Sequence, residues 1–512
     1  MSQILKSSIV VTTFTVLGMA LNFICQMLIA AKFGATREMD IFFAATTIPL
    51  FLIGIISSSL SFTLIPIFAE YSERSSREVS RIISSLINLG LLFTGLLSLL
   101  GVWGAPQLIR ITVPGFSGEE VIQAARLLQL LFSMVIFTVV NEILTCLYYS
   151  KQRFILPSLN RITSPIITII YILIFQASLS VKSLALAMLF ASLIQMVLLL
   201  IGILKSRDLE YFSILGLKHP DIVKIFKLIL PLILGMVIYR TIPILDRFFL
   251  SKLPEGSIAH IGYATQLLNF IHSIVVSGIT ISLFPIMSQY AAKKNWYDLK
   301  KIISKGLRVL FFISVPFIFL FGLHSEPFIQ LLWERGNFLS TDTASVHKAF
   351  IIYIWALPAM TMGTLIGQGF YVLQDTKTPV IIGIVESVLY VGLCYFMIPK
   401  FQYLAIPTAY LIYFYLSLFV CALTLRYKLG NQGGRLFVLT MLKNLCSVII
   451  PLVTLDFAYQ FFPGQFARIG LVLFSFLLYL LIGRFLFKTE EVSYVFDFIY
   501  QKLFKRVPSF LV

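Results

Sequence analysis

The sequence predicts an all-α polytopic membrane protein: 14 transmembrane helices, forming two pseudo-twofold-related six-helix lobes plus two appended helices. Three observations predict it. Apolar stretches long enough to cross a bilayer recur along all 512 residues, which are 58% hydrophobic and 12% charged, with a mean hydropathy of +0.93. Lysine and arginine alternate between rich and poor loops. A motif in the first half returns in the second at a spacing of six spans.

The spans read as about 8–31, 41–69, 82–104, 124–149, 156–177, 183–204, 224–250, 258–287, 304–323, 347–372, 379–398, 402–425, 436–459 and 467–487. The first follows Lys6 and is too long for a cleaved leader, so it reads as a transmembrane helix. One set of loops holds Arg74, Arg77 and Arg81, then Lys151 and Arg153, then Lys205, Arg207, Lys218, Lys224 and Lys227. The intervening loops hold mostly single basic residues such as Arg110, Lys182, Lys252 and Arg335. The basic set belongs inside, which places both termini in the cytoplasm, and the tail (Arg484, Lys488, Lys502, Lys505, Arg506) agrees.

Leu64-Ile65-Pro66-Ile67-Phe68-Ala69-Glu70-Tyr71 is echoed by Leu283-Phe284-Pro285-Ile286-Met287-Ser288-Gln289-Tyr290, and Tyr149 and Pro157 by Tyr371 and Pro379. An offset of six spans makes the halves parallel repeats, related by an axis along the membrane normal. The predicted divisions are 1–220 (spans one to six), 221–430 (spans seven to twelve) and 431–512 (the last two spans and a basic tail). Two such lobes facing one another across a cleft have the geometry of alternating access.

The residue that organises this reading is Arg240, about 18 Å along the apolar stretch that begins at Leu228. A cation at that depth costs at least ~2.5–3.5 kcal/mol, so it must face protein, water or an anion. Gly235 and Pro243 loosen the backbone on either side, and Arg247 lies seven residues on, beside Asp246. The expectation is a wet cationic cavity for an anionic headgroup. The competing reading makes Arg240 the partner of a buried acid, Glu142 or Glu386. Those two carboxylates read equally as coupling groups. Arg161 is either a second anion ligand or a snorkelling interfacial residue. Gln266, Asn269 and His272 form a polar stripe suited to sugar hydroxyls or to a helix–helix seam. Asp246 and Arg247 gate the site, pair with each other or cap a helix end.

Other classes find no support. The net charge of +17 sits in short loops between spans, which argues against nucleic acid as a partner. No nucleophile–base pair, phosphate-cradling loop or metal-ligand spacing is present, so neither enzyme activity, a cofactor nor a metal is expected. The five cysteines lie in apolar segments as small buried hydrophobes.

Several strings resemble the MurJ/MviN family, the lipid II flippases of the multidrug/oligosaccharidyl-lipid/polysaccharide exporter superfamily. They are Phe33-Gly34-Ala35 with Asp40 and Phe42-Phe43; Phe62-Thr63-Leu64-Ile65-Pro66; Val113-Pro114-Gly115-Phe116; and Arg153-Phe154 with Pro157. Leu245-Asp246-Arg247-Phe248, Glu334-Arg335-Gly336-Asn337-Phe338 and Gly369-Phe370-Tyr371 follow, with Gln374-Asp375-Thr376-Lys377-Thr378-Pro379 the most specific. The resemblance implies flipping of a polyprenyl-pyrophosphate-linked glycan, lipid II, from the inner to the outer leaflet of a bacterial inner membrane. It also implies contact with the bilayer and with cell-wall synthesis proteins. Positions where the family carries cavity arginines hold Met19, Cys25, Ile53 and Gln266 here, and the family's acid falls at Asn269. Asp40 is retained, as an outer-gate residue or as a cap on the second helix. Asp246 matches a sodium-site acid of some relatives, whose partners align with Tyr390 and Cys394, poor ligands for a hard cation. Alternatives are a flippase for another lipid-linked oligosaccharide and, further off, a cation-coupled multidrug exporter, which would need an acidic cavity.

Overall fold

The computed structural model describes residues 2–71, 75–206, 209–375, 377–430, 434–487 and 489–492. Arg74, Arg207, Thr376, Lys488 and the tail residues Lys502, Lys505 and Arg506 lie outside them. Among the described residues the chain is helical throughout, without strands. Backbone contacts divide it into two units, Met1–Ala259 with Arg335–Leu339, and His260–Glu334 with Ser340–Val512.

The first unit holds α1 (Ser2–Phe33), α2 (Arg37–Glu70), α3 (Ser76–Thr112), α4 (Gly118–Ser150), α5 (Ile155–Leu179), α6 (Lys182–Ser206), α7 (Pro220–Tyr239), α8 (Ile242–Leu250) and the start of α9 (Ser257–Ala292). Here α4 packs on α2, α3 and α6, α5 packs on α1 and α6, and α7 lies on α2. Leu64, Ile83, Leu144 and Ile225 are among the side chains of its core. The faces of α3 show what solvent the unit is built for. Gly101 is buried, with the Phe132 ring where its Cβ would be, whereas Leu92, Leu96, Leu99 and Trp103 form an exposed apolar stripe at helical spacing. Lipid, rather than water, matches that stripe.

The second unit continues with the rest of α9, then α10 (Trp296–Pro316), a π-helical turn (Phe317–Gly322), α11 (Glu326–Trp333), α12 (Ser340–Ile354), α13 (Leu357–Val372), α14 (Lys377–Phe401), α15 (Ala405–Leu429), α16 (Gly434–Phe461) and α17 (Gln465–Phe485). Its α15 packs on α13 and α14, and α16 on α10 and α17.

Among the described residues ten helical runs are long and apolar enough to cross a membrane, eleven with the bent pair α12–α13 as one span. The sequence-based count of 14 is larger. The other expected spans fall on α1, α9 and α15, the last merged with α14 in a single 53-residue run.

The repeat has a backbone counterpart. Helices α5 and α14 are both 25 residues long, and their ends are offset by 222 positions (155 to 377, 179 to 401). Left-handed, non-glycine residues recur at the same offset: Gln152 (φ 55°) and Gln374 (φ 58°), then Ser180 (φ 46°) and Gln402 (φ 50°). Such conformations cost roughly 1 kcal/mol or more each, so their recurrence marks an inherited chain path.

The turn after Gln374 is held by Asp375, which accepts from Thr378 N at 3.1 Å and pairs with the Lys428 ammonium. Partial burial works against the Asp375 carboxylate, but the Lys428 and Thr378 donors outweigh it and hold its pKa at about 2 against the usual 3.8. A depressed carboxyl stabilises the fold above its unfolded value, and that contribution disappears as pH falls through the folded one. The wild type is therefore expected to lose its advantage over Lys428→Gln between pH 3.8 and about 2. Thermal unfolding midpoints of the two proteins should converge there; a constant gap across that window would refute the pairing.

Candidate functional site

Arg240 was expected inside a continuous helix, and the structure corrects this: α7 ends at Tyr239 and α8 begins at Ile242. Pro243 is the cause. It has no N–H for the helical ladder, and its ring would collide with the carbonyl four residues back. Arg240 N still bonds Met236 O at 3.2 Å, and Thr241 O accepts from Ile244 N at 2.9 Å, so the chain turns at Arg240–Thr241. Thr241 keeps right-handed helical dihedrals (φ −75°, ψ −26°), so α7 and α8 continue one another as a single apolar span, Pro220–Leu250.

At this break the Arg240 side chain is exposed and reaches α2, where Nη2 donates to Ser58 Oγ at 3.2 Å. Gly54 makes room for it: a Cβ there would lie 2.3 Å from Nη1. Among the described residues no carboxylate pairs with Arg240. Glu142 on α4 instead lies near Ser57 and Ser61, one turn apart on α2. The serine run Ser57-Ser58-Ser59-Leu60-Ser61 thus lies beside both an acid and a cation, and among the described residues the competing reading, an Arg240–Glu142 ion pair, does not form.

Asp40 lies in a second cluster. It is fully buried, its Oδ1 accepts from Ala259 N at 2.7 Å and its Oδ2 from Gly256 N at 2.8 Å, so it caps the start of α9. The alternative role expected for it, a cap on α2, is corrected by this geometry. Neighbouring Arg37 forks onto Glu120 (2.6 and 3.0 Å), covers the Phe116 ring and donates its backbone N–H to Glu255. Gly115 N donates to Ser251 Oγ at 3.1 Å, and Asn337 bonds the carbonyls of Ala31 (2.9 Å) and Lys32 (2.7 Å). Motif residues far apart in sequence thereby form one connected cluster. Gly115 is required there because a Cβ would sit 2.1 Å from Ser251 O. Gly115→Ala is expected to lower stability by about 1–3 kcal/mol. Gly118→Ala, where nothing lies within 4 Å, is the neutral control in the same unfolding measurement.

The remaining candidates are placed as follows. Asp246 is buried, and Arg247 lies over the Phe43 ring (5.6 Å) with Nη1 3.4 Å from Ile258 O. Arg161 is exposed on α5, where Gly18 of α1 touches its backbone. In the second unit the three-residue stripe on α9 divides: Asn269 is exposed, while Gln266 Oε1 and His272 Nε2 are buried without partners. Glu386 on α14 is 4% exposed, faces Ser417 and leaves Oε1 unpartnered. Among the described residues no group of His, Cys, Asp and Glu could hold a metal ion. Sequence reasoning missed Gly54 and Ser58, although a glycine before a serine run within an apolar span was a signal for a polar visitor.

Long apolar helices and chain turns repeated at one offset define a polytopic membrane protein. Solved structures share this fold: a lipid II flippase MurJ in an inward closed conformation has a TM-score of 0.79 at 21% identity, over 97% of this chain and 100% of that one. An inward-facing multidrug resistance MATE family transporter of the MOP superfamily has a TM-score of 0.67 at 14% identity, over 81% of this chain and 95% of that one. Residues 29–479 match the family described as lipid II flippase MurJ, and the chain belongs to that family. Its relatives include the probable lipid II flippases MurJ of Buchnera aphidicola subsp. Baizongia pistaciae (28% identical, over 81% of this chain and 82% of that protein) and Rickettsia prowazekii (25%, over 88% and 90%).

Proposed function

We propose that this protein carries lipid II, a polyprenyl-pyrophosphate-linked glycan, from the inner to the outer leaflet of the bacterial inner membrane. The carrying observation is Arg240, a guanidinium within an apolar span that is exposed and has no carboxylate partner among the described residues. A planar fork of donors suits pyrophosphate, and a charge left unpaired at such depth is costly unless its purpose is to meet an anion. Arg161 is a secondary anion ligand in this reading. Gln266, Asn269 and His272 supply hydrogen bonds to sugar hydroxyls. Asp40, Asp246 and Arg247 serve the gate, and Glu142 and Glu386 are the coupling carboxylates.

The sequence divisions at 220 and 430 mark the repeated lobes that alternate access, with both termini cytoplasmic because the basic loops belong inside. The protein is a carrier rather than an enzyme, and its partners are the proteins that make and consume lipid II. The test is complementation of bacteria depleted of their lipid II flippase. Growth and outer-leaflet lipid II should be restored by the wild type; failure of a well-expressed protein to restore either would refute the proposal.

A further inference from the structure

Residues 209–219, which precede α7, are strapped along α3. Ser80 and Ser84 accept from Glu210 N (3.2 Å) and Phe212 N (3.1 Å), and Asn88 Nδ2 donates to the carbonyls of Phe212 (3.2 Å) and Ile214 (2.8 Å). The three anchors recur every four residues, so they line one face of α3. Gly216 (φ 56°) turns the strap inward, so close that a Cβ would lie 2.6 Å from Ser85 Oγ.

Between this strap and the first turns of α3 lies a cavity of about 470 Å³. Arg77, Arg81, His219, Ser75 and Ser85 line it, with Glu78 as its single acidic wall residue. The guanidiniums of Arg77 and Arg81, one turn apart, lie 6.0 and 5.4 Å from the Phe212 ring centroid. Among the described residues neither has a carboxylate partner. The one Phe212 ring beside both guanidiniums steadies them while leaving donor edges free.

We propose that this cavity binds a phosphate-bearing anion, either the headgroup of an anionic phospholipid or a soluble phosphate, between the Arg77 and Arg81 forks. The volume falls within the usual range for small-ligand sites. The cavity lies where α3 enters its apolar run, so a bilayer crossed by that run would bring its headgroup layer to the cavity. It is separate from Arg240 and does not depend on which glycan is carried. The strap leads directly into α7, whose Asp221 accepts from Tyr71 Oη at 2.6 Å. An anion here therefore fixes the base of the helix whose far end carries Arg240.

Hydrogen exchange of the full-length protein tests this, in discs of phosphatidylcholine alone, the same discs with inorganic phosphate at constant ionic strength, and discs containing phosphatidylglycerol. The Glu210 and Phe212 amides are expected to exchange about tenfold more slowly when the site is filled. Protection by phosphatidylglycerol alone identifies a lipid headgroup; protection by inorganic phosphate identifies a soluble anion. The joint variant Arg77→Gln and Arg81→Gln should abolish the response. Arg77→Lys with Arg81→Lys keeps the charges that set topology and should lose most of it. Absence of protection from both anions, or full protection in the glutamine variant, overturns the site. Full protection in the lysine variant overturns recognition by the forks.

Discussion

Arg240→Ala is expected to cut transport about 10- to 100-fold while leaving the amount of folded protein unchanged. Hydrogen bonds to a charged group contribute about 1.5–3 kcal/mol, and each 1.4 kcal/mol is a factor of ten in rate. Folding has little at stake, because the side chain is exposed and its described side-chain hydrogen bond is to Ser58. Lysine at 240 keeps the charge without the fork and should fall between wild type and alanine. Gly54→Ala offers an independent route, displacing the guanidinium without removing it, since the new Cβ would lie 2.3 Å from Nη1. The measurement is outer-leaflet lipid II in depleted cells carrying each variant at matched membrane abundance. Wild-type transport by Arg240→Ala would remove this residue from the site.

The second large effect is on stability. Asp40→Ala strands Gly256 N and Ala259 N in a buried setting, and the loss is expected to be about 3 kcal/mol or more. Asparagine should be nearly as harmful, because its amide would place a donor against one of two backbone donors. Arg37→Ala should cost less, since Arg37 is 23% exposed and its Glu120 pair is solvent-accessible. Thermal unfolding of the three variants checks the order. A mild Asp40→Asn would mean that the carboxylate charge does not hold the start of α9.

The long apolar elements were legible because a bilayer demands about 20 apolar residues per crossing, and that requirement leaves its mark on composition alone. The repeat was legible in Pro66 and Pro285, and the backbone bears it out at Gln152 and Gln374. The break at Arg240 was half legible: Pro243 announced a weakness but not that α7 would end at Tyr239, four residues before it. The partners were not legible at all. Asp40 finds its donors 216 and 219 positions away, and Arg240 finds Ser58 at a separation of 182. Periodicity and spacing report on neighbours along a helix, whereas these contacts are set by which helices become adjacent. The polar stripe on α9 was legible as a spacing, but its division into an exposed Asn269 and the buried atoms Gln266 Oε1 and His272 Nε2 was not, since spacing along one helix does not say which of its positions a neighbouring helix will cover.

The five residues Arg335–Leu339 belong to the first unit although they are flanked in sequence by the second. Asn337 closes onto the carbonyls of Ala31 and Lys32 from 306 and 305 positions further along the chain. During synthesis the ribosome must therefore pass α11 before the end of α1 acquires its last partners. Until then the nascent first unit waits in the bilayer with that edge unfinished, and chains truncated before Arg335 should be preferred prey for membrane quality-control proteases.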